Sequence, residues 1–182
     1  LPTIRGFSPG LFYHDANATL RIGFGKVDGY QPRAGLIAAA HTTVGGIVEK
    51  AGFPPYQAPA SLVLAIERGE LGPYGDTAMG GVLVNYVTTL DTARGSSGSP
   101  TLDAQGRWVG LIFDGNYASM ASDWVFDEAT TRSIHTNVSY ILWYLDAGAG
   151  ADAVLTELGI SPALGSIAAP ETAQTSHPLI WE

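Results

Sequence analysis

The chain has 182 residues, 46% hydrophobic and 14% charged, which is enough apolar material for the core of one ordinary domain or two very small ones. This composition excludes a chain that is disordered throughout. A formal net charge of −8, with no compensating cluster of Lys or Arg, argues against nucleic acid and anionic membranes as partners.

The sequence contains no cysteine, so neither disulfides nor Cys-ligated metal can stabilise the fold. We expect no metal and no cofactor. No apolar run reaches the roughly 18 residues that a membrane span needs, and the N-terminal LPTIRGFSPG lacks the basic start and apolar stretch of a signal peptide. Because the first residue is Leu and not Met, we expect a chain processed or excised from a longer one.

Short runs of β-branched and aromatic residues predict strands in the first two thirds of the chain. The 23 glycines favour tight turns between these strands over a helix bundle. Alternating or continuous apolar residues predict strands at 18–27, 80–90 and 107–115. The expected fold class is mainly β, with residues 10 to about 120 forming an antiparallel, barrel-like sheet.

After this region the spacing of apolar residues changes to one typical of helices. Apolar residues at spacings of three and four in VSYILWYL predict a helix near 138–147, and a second short helix is predicted at 151–158. Both are expected on the outside of the barrel. Residues 161–182 are rich in Pro, Ala, Ser and Thr without a period, so we interpret 1–160 as the domain and 161–182 as a tail.

The sequence GSSGSP at residues 95–100 has the features of a loop that presents a nucleophilic serine. Such a serine needs a tight turn and two backbone N–H groups that converge where an oxyanion forms. Gly95 permits the turn, the amides of Gly95 and Ser97 can supply the donors, and Gly98 leaves room for a substrate. Taken alone, the pattern also fits an ordinary turn between strands.

Four segments together resemble the C-terminal part of the bacterial dipeptidyl-peptidase seven and eleven family. They follow one another in the order found in that family and span most of residues 13–160. The segments are YHDANATLRIGFGKVDGY, TTVGGIVEK, GSSGSPTLDAQGRWVGLIFDGN and RSIHTNVSYILWYLDAGAGADAVLTELGI.

The resemblance implies a serine exopeptidase with a two-barrel chymotrypsin-like core, interrupted by a helical domain, that releases dipeptides from free N-termini. It implies that Ser97 is the nucleophile, that the Gly95 and Ser97 amides form the oxyanion hole, and that Asp114 binds the substrate's α-amino group. It also implies that Gly115 forms the floor of the primary pocket, where other members carry Arg and prefer acidic residues. Gly115 therefore predicts a large apolar residue, and the family implies a periplasmic or cell-surface location and a possible homodimer.

The family's catalytic histidine and aspartate lie far upstream of the nucleophile, in regions with no counterpart in this sequence. We therefore expect the upstream first barrel and helical domain of a parent enzyme to complete the site, and this chain alone to be inactive. One alternative is a complete small protease in which His41, within IAAAH, is the base. Another is a non-catalytic binding domain that retained the loop. His135 is expected at a strand start or on the surface.

Overall fold

The computed structural model describes Asp15, residues 17–122 and residues 126–165, and within these residues the chain forms eight strands and four α-helices. Single helical turns occur at Gly72–Tyr74, Tyr117–Ala121 and, as a π-helix, Tyr144–Gly148. The strands are β1 Tyr30–Arg33, β2 Leu36–Ala38, β3 His41–Thr43, β4 Gly75–Asp76, β5 Gly81–Thr88, β6 Pro100–Leu102, β7 Trp108–Gly115 and β8 Ser133–Asn137. The α-helices are α1 Gly45–Lys50, α2 Ala60–Glu67, α3 Val138–Trp143 and α4 Asp152–Glu157.

Antiparallel pairing dominates the architecture, as the sequence predicted. Strands β1 and β2 form a hairpin, and a second sheet has the order β3-β5-β8-β7-β6, with β4 also pairing with β5. The predicted strands 80–90 and 107–115 correspond to β5 and β7 and share this sheet, with β8 between them. The mainly β fold with C-terminal helices is confirmed.

The strand predicted at 18–27 is wrong for most of its length. Only its end pairs with the sheet, through an isolated bridge between Val27 and Thr88 and through backbone hydrogen bonds at residues 26–28. The alternating apolar side chains before it are exposed, for example Leu20 and Phe24. An alternating pattern becomes a strand only where a partner strand satisfies its backbone, and here the end of β5 reaches only residues 26–28.

Helices α1 and α2 were not predicted and cover one side of the β3–β5 end of the sheet. Helix α2 buries Leu62 and Ala65, which are three residues apart, and Gly69 with φ +66° ends the run. These residues are part of the hydrophobic core, which also contains Trp143 from α3. The core consists of Val44, Leu62, Ala65, Val82, Trp143 and Ala147.

The residue ranges of the C-terminal helices agree with those predicted from the sequence. The helix predicted near 138–147 is α3 continued by the π-helical turn, and the one predicted at 151–158 is α4. In the described residues, no helix is both long and apolar enough to cross a membrane.

Residues 161–165, the first part of the predicted tail, are bound to the domain. The carboxylate of the fully buried Asp146 accepts hydrogen bonds from the backbone amides of Ala163, Leu164 and Gly165 and from the Tyr74 hydroxyl. The Leu164 side chain packs against the core. The rest of the predicted tail lies outside the described residues, so the division at residue 160 stays a prediction.

Candidate functional site

Ser97 lies on a tight loop, and the residues that follow Ser97 are hydrogen-bonded to β7. Gly95 and Gly98 adopt φ values of +82° and +88°, a left-handed conformation that glycine adopts without strain. The Gly98 amide donates to the carbonyl of Ile112 at 2.8 Å, and the Ile112 amide donates to the carbonyl of Ser99 at 3.1 Å. These two bonds hold the loop against the strand that also carries Asp114 and Gly115.

The Ser97 hydroxyl is exposed and weakly held. Its Oγ donates to the carbonyl of Phe113 at 3.2 Å, longer than the 2.5–3.0 Å typical of a hydroxyl–oxygen bond. Among the described residues, the amides of Gly95 and Ser97 have no hydrogen-bond partner. The loop therefore presents a hydroxyl that is easily released and two donors that remain available to a ligand.

Asp114 and Gly115 stand at the end of β7, beyond an irregularity in its pairing with β8 between Ile112 and Asp114. The Asp114 side chain is exposed, and its Oδ1 accepts the Gly115 amide at 2.8 Å. This bond turns the carboxylate back along its own strand. Such a carboxylate is available to a cationic group of a ligand.

A cavity of about 330 Å³ brings the predicted site residues together. One wall is the chain from Leu90 to Ser97, and another is the end of β7, against which the Ser97 loop lies. Gly95, Ser97, Asp114 and Gly115 all line it, together with Arg94 and Ser119. Residues separated by about 20 positions in the sequence thus face one space.

Ser119 closes the cavity next to Gly115, a contact that sequence reasoning missed. A Cβ atom added to Gly115 would collide with the Ser119 side chain, whose hydroxyl donates to the carbonyl of Asn116 at 2.6 Å. Asn116 is buried, and its side-chain oxygen accepts the amides of Ser119 and Arg132. The signal in the sequence is Asn116 itself, because Asn is a preferred N-cap residue whose side-chain oxygen accepts the backbone amide two or three residues later, here that of Ser119.

His41 does not join the cavity. It lies on β3, at the opposite end of the sheet order from β6 and β7, and its ring faces Tyr86 at 6.3 Å between centroids. None of the residues lining the cavity is a histidine. The described structure thus gives no support to His41 as a local base.

No group of three or more His, Asp or Glu side chains within the described ranges is arranged to hold a metal ion. The carboxylates at the cavity, Asp91 and Asp114, lie on different walls. The groups that this cavity offers for chemistry include the Ser97 hydroxyl, the backbone amides of Gly95 and Ser97, and the carboxylates of Asp91 and Asp114.

An antiparallel sheet with an open cavity beside a glycine-flanked serine is an arrangement that a serine peptidase can use, and comparison with known families places the chain among the peptidases. It belongs to the peptidase S46 family, whose model matches residues 7–160. The resemblance stated from the sequence motifs is confirmed.

Two curated relatives illustrate the similarity. The Asp/Glu-specific dipeptidyl-peptidase of Shewanella putrefaciens is 38% identical over 170 residues, and the match covers 81% of this chain and 23% of the relative. Dipeptidyl-peptidase 7 of Phocaeicola vulgatus is 33% identical over 156 residues, covering 85% and 22%. The chain thus spans between a fifth and a quarter of the length of these relatives.

Solved structures agree with the sequence comparison. Porphyromonas endodontalis DPP11 in complex with the dipeptide Arg-Glu superposes with a TM-score of 0.75 at 31% identity, covering 80% of this chain and 21% of that one. The complex of the same protein with substrate gives a TM-score of 0.74 at 32% identity. The fold is therefore shared with a part of DPP11.

Proposed function

We propose that this chain is the nucleophile-bearing part of a serine-type dipeptidyl aminopeptidase. The observation that carries the proposal is that Gly95, Ser97 and Asp114 line one cavity, and that within the described residues the Gly95 and Ser97 amides have no hydrogen-bond partner. Membership of the S46 family and the names of the relatives support the reaction class.

The chemistry assigned to Ser97 is acyl transfer. Its Oγ attacks the scissile carbonyl, the carbonyl oxygen becomes an oxyanion, and the Gly95 and Ser97 amides donate to that oxygen. A base must remove the hydroxyl proton, and no histidine lines the cavity in the described residues. We assign that base, with the aspartate that orients it, to an upstream first barrel, in keeping with the greater length of the relatives.

Asp114 is assigned to the free α-amino group of the substrate. An exposed carboxylate at the end of β7, lining the same cavity as Ser97, can accept a charge-assisted hydrogen bond from an ammonium group. Fixing the amino terminus at a set distance from Ser97 restricts cleavage to the second peptide bond. Acetylation of the substrate would remove the charge and abolish the contact.

The pocket floor favours an apolar residue before the scissile bond. Gly115 has no side chain and Ser119 packs on it, so among the described residues the end of β7 carries no cation that would pair with an acidic substrate residue; Arg94, which also lines the cavity, belongs to the loop that carries Ser97. Burying a Leu, Met or Phe side chain there would stabilise binding by ~1.5–3 kcal/mol. Relatives named for Asp/Glu specificity and relatives named dipeptidyl-peptidase 7 match at similar identity, 38% and 33%, so overall identity does not decide this point.

Two experiments test the proposal. A serine-directed phosphonate should label Ser97 in the complete enzyme, and should label neither the Ser97→Ala variant nor this chain alone. Reporters ending in Leu, Phe, Asp or Glu, with free or acetylated N-termini, then test the pocket. Faster cleavage of Asp and Glu reporters would contradict the role given to Gly115, and equal cleavage of acetylated reporters that given to Asp114.

The setting of the complete enzyme is also a proposal. We propose a periplasmic or cell-surface location, which would suit a dipeptidyl-peptidase acting on peptides outside the cytoplasm, and a homodimer as the assembled state. Fractionation of cells and the mass of the purified enzyme in solution would test these two points.

A further inference from the structure

His135, at the centre of β8, is a buried polar residue that the proposed chemistry does not use. It is 1% exposed and lies between Tyr86 of β5 and Ile112 of β7 in the strand register. Its ring stacks on the Tyr86 ring with centroids 4.8 Å apart and planes 4° apart. The ring is therefore held in one orientation within the sheet.

Both ring nitrogens of His135 make hydrogen bonds to threonine hydroxyls. Nε2 lies 2.9 Å from the Oγ1 of Thr88, and Nδ1 lies 2.7 Å from the Oγ1 of Thr101. A neutral imidazole satisfies both hydroxyls, because one nitrogen donates and the other accepts. The imidazole thus connects two threonines that are 13 positions apart in the sequence.

The bond to Thr101 skips a strand. Thr101 is on β6, His135 is on β8, and β7 lies between them, with Gly110 facing both Thr101 and Asn137 in the register. A Cβ atom at Gly110 would collide with the Thr136 carbonyl and lie 2.7 Å from the Tyr86 hydroxyl. The absence of a side chain at Gly110 therefore leaves the space in which Tyr86 and His135 approach β6.

The two threonines are the two ends of the segment that carries the nucleophile. The chain leaves β5 at Thr88 and re-enters the sheet at Pro100, and residues 89–99 between them include Ser97 and one wall of the cavity. One side chain therefore anchors both ends of this segment. Ser133, two residues before His135, anchors its interior by donating to the Leu90 carbonyl at 2.7 Å and bonding to the Thr92 hydroxyl at 2.9 Å.

We infer that His135 is a positioning residue for Ser97, acting through Thr88 and Thr101 to fix the segment 89–99 relative to β7. This inference rests on the proposed function of Ser97 as a nucleophile. Effective nucleophilic attack requires the reacting atoms within a narrow distance, and a displacement of about 1 Å can cost on the order of 100-fold in rate. An anchor at both ends of the segment provides that precision.

The test uses the complete enzyme and three variants. Thr101→Val removes the hydroxyl that His135 binds while keeping the shape of the side chain, and Thr101→Ser restores a hydroxyl. Thr136→Val is the matched control, because Thr136 is on β8 next to His135, where alternate residues point to opposite faces of the sheet. These hydroxyl variants are milder than replacing His135 itself, which would change both of its hydrogen bonds and its stacking on Tyr86 at once.

Kinetic constants per phosphonate-titrated site separate positioning from loss of folded enzyme. We expect Thr101→Val to lower kcat roughly 10- to 100-fold with KM changed less than about 3-fold, Thr101→Ser to recover most of kcat, and Thr136→Val to match the wild type. An unchanged kcat per titrated site in Thr101→Val would overturn the inference, even if its melting temperature fell.

Hydrogen exchange at the Gly98 amide gives a second readout that does not depend on activity. Because this amide bonds to the Ile112 carbonyl, we expect Thr101→Val to speed its exchange about 10-fold or more and Thr136→Val to leave it unchanged. Equal protection in both variants would overturn the inference. Failure of the proposed function would give a different result. Phosphonate would then not label the wild type, while Thr101→Val would still speed hydrogen exchange at the Gly98 amide.

Discussion

Replacing Asp146 by Asn tests how strongly one buried carboxylate holds the C-terminal segment to the domain. The Asp146 side chain is 0% exposed and lies in the π-helical turn. Its Oδ2 accepts the Tyr74 hydroxyl at 2.9 Å and the Ala163 amide at 2.8 Å, and its Oδ1 accepts the amides of Leu164 and Gly165 at 3.1 and 3.3 Å. Burial acts to raise the pKa of this carboxyl, but the hydrogen bonds outweigh burial and lower it.

The cost of the substitution follows from these contacts. An Asn side chain has one acceptor oxygen, and its amide nitrogen cannot accept from a backbone amide in either orientation; only the Tyr74 hydroxyl could turn and accept from it. We expect the oxygen to keep the shorter bonds, to Tyr74 and Ala163. The longer pair of bonds, to Leu164 and Gly165, is the pair we expect to be lost. Two bonds to a charged acceptor, at about 1.5 kcal/mol each, give a loss of roughly 3 kcal/mol. The carboxylate is ionised above its ordinary pKa, so this difference persists at neutral pH and disappears only in acid.

Hydrogen exchange and urea unfolding measure this loss. A local destabilisation of roughly 3 kcal/mol corresponds to about 100-fold faster exchange of the Leu164 amide, since about 1.4 kcal/mol is a factor of ten. Glu157→Gln is the control, because it makes the same change of charge at an exposed position and should change stability by less than about 0.5 kcal/mol. If Asp146→Asn matches this control and Leu164 stays protected, the argument from buried hydrogen bonds is refuted.

Three further predictions concern the pocket and the sheet. Gly115→Arg alone should impair activity, because the new side chain collides with Ser119. Adding Ser119→Gly should restore turnover and move the preference toward Asp and Glu reporters. Normal turnover of Leu reporters by Gly115→Arg alone would contradict this prediction. Burial lowers the pKa of His135 from 6.5 to about 4, so the folded state binds fewer protons than the unfolded chain between these values. The free energy of unfolding should have its full value above pH 6.5 and fall by about 3 kcal/mol as the pH drops to 4. Urea unfolding at a series of pH values measures this fall, which should be smaller in His135→Asn. An equally large fall in His135→Asn would count against this assignment. Buried Arg132 donates hydrogen bonds to four backbone carbonyls, so Arg132→Lys should lower the free energy of unfolding by about 2–3 kcal/mol, measured by thermal unfolding. The control Arg68→Lys, at an exposed position, should lower it by less than about 0.5 kcal/mol. Equal losses in the two variants would contradict the role given to the Arg132 hydrogen bonds.

Local patterns determined a large part of this protein. The glycines around Ser97 permit the turn that presents its hydroxyl, and both Gly95 and Gly98 adopt the positive φ that this turn needs. The runs at 80–90 and 107–115 and the helical spacing after residue 138 specify their elements, because periodicity depends only on near neighbours. Helix α2 was equally readable, from Pro59 before it and Gly69 after it, and was missed.

Only the tertiary structure decided how distant segments meet. Strand β8 lies between β5 and β7, and that order brings His135 to Thr88 and Thr101; from the sequence His135 was expected at a strand start or on the surface. The contact of Ser119 with Gly115 likewise depends on the path of the chain beyond β7. The alternating residues 18–27 resemble a strand locally and lack a partner along most of their length. Pairing between strands is a long-range choice, so residues that look alike in sequence acquire different roles according to which backbone lies beside them.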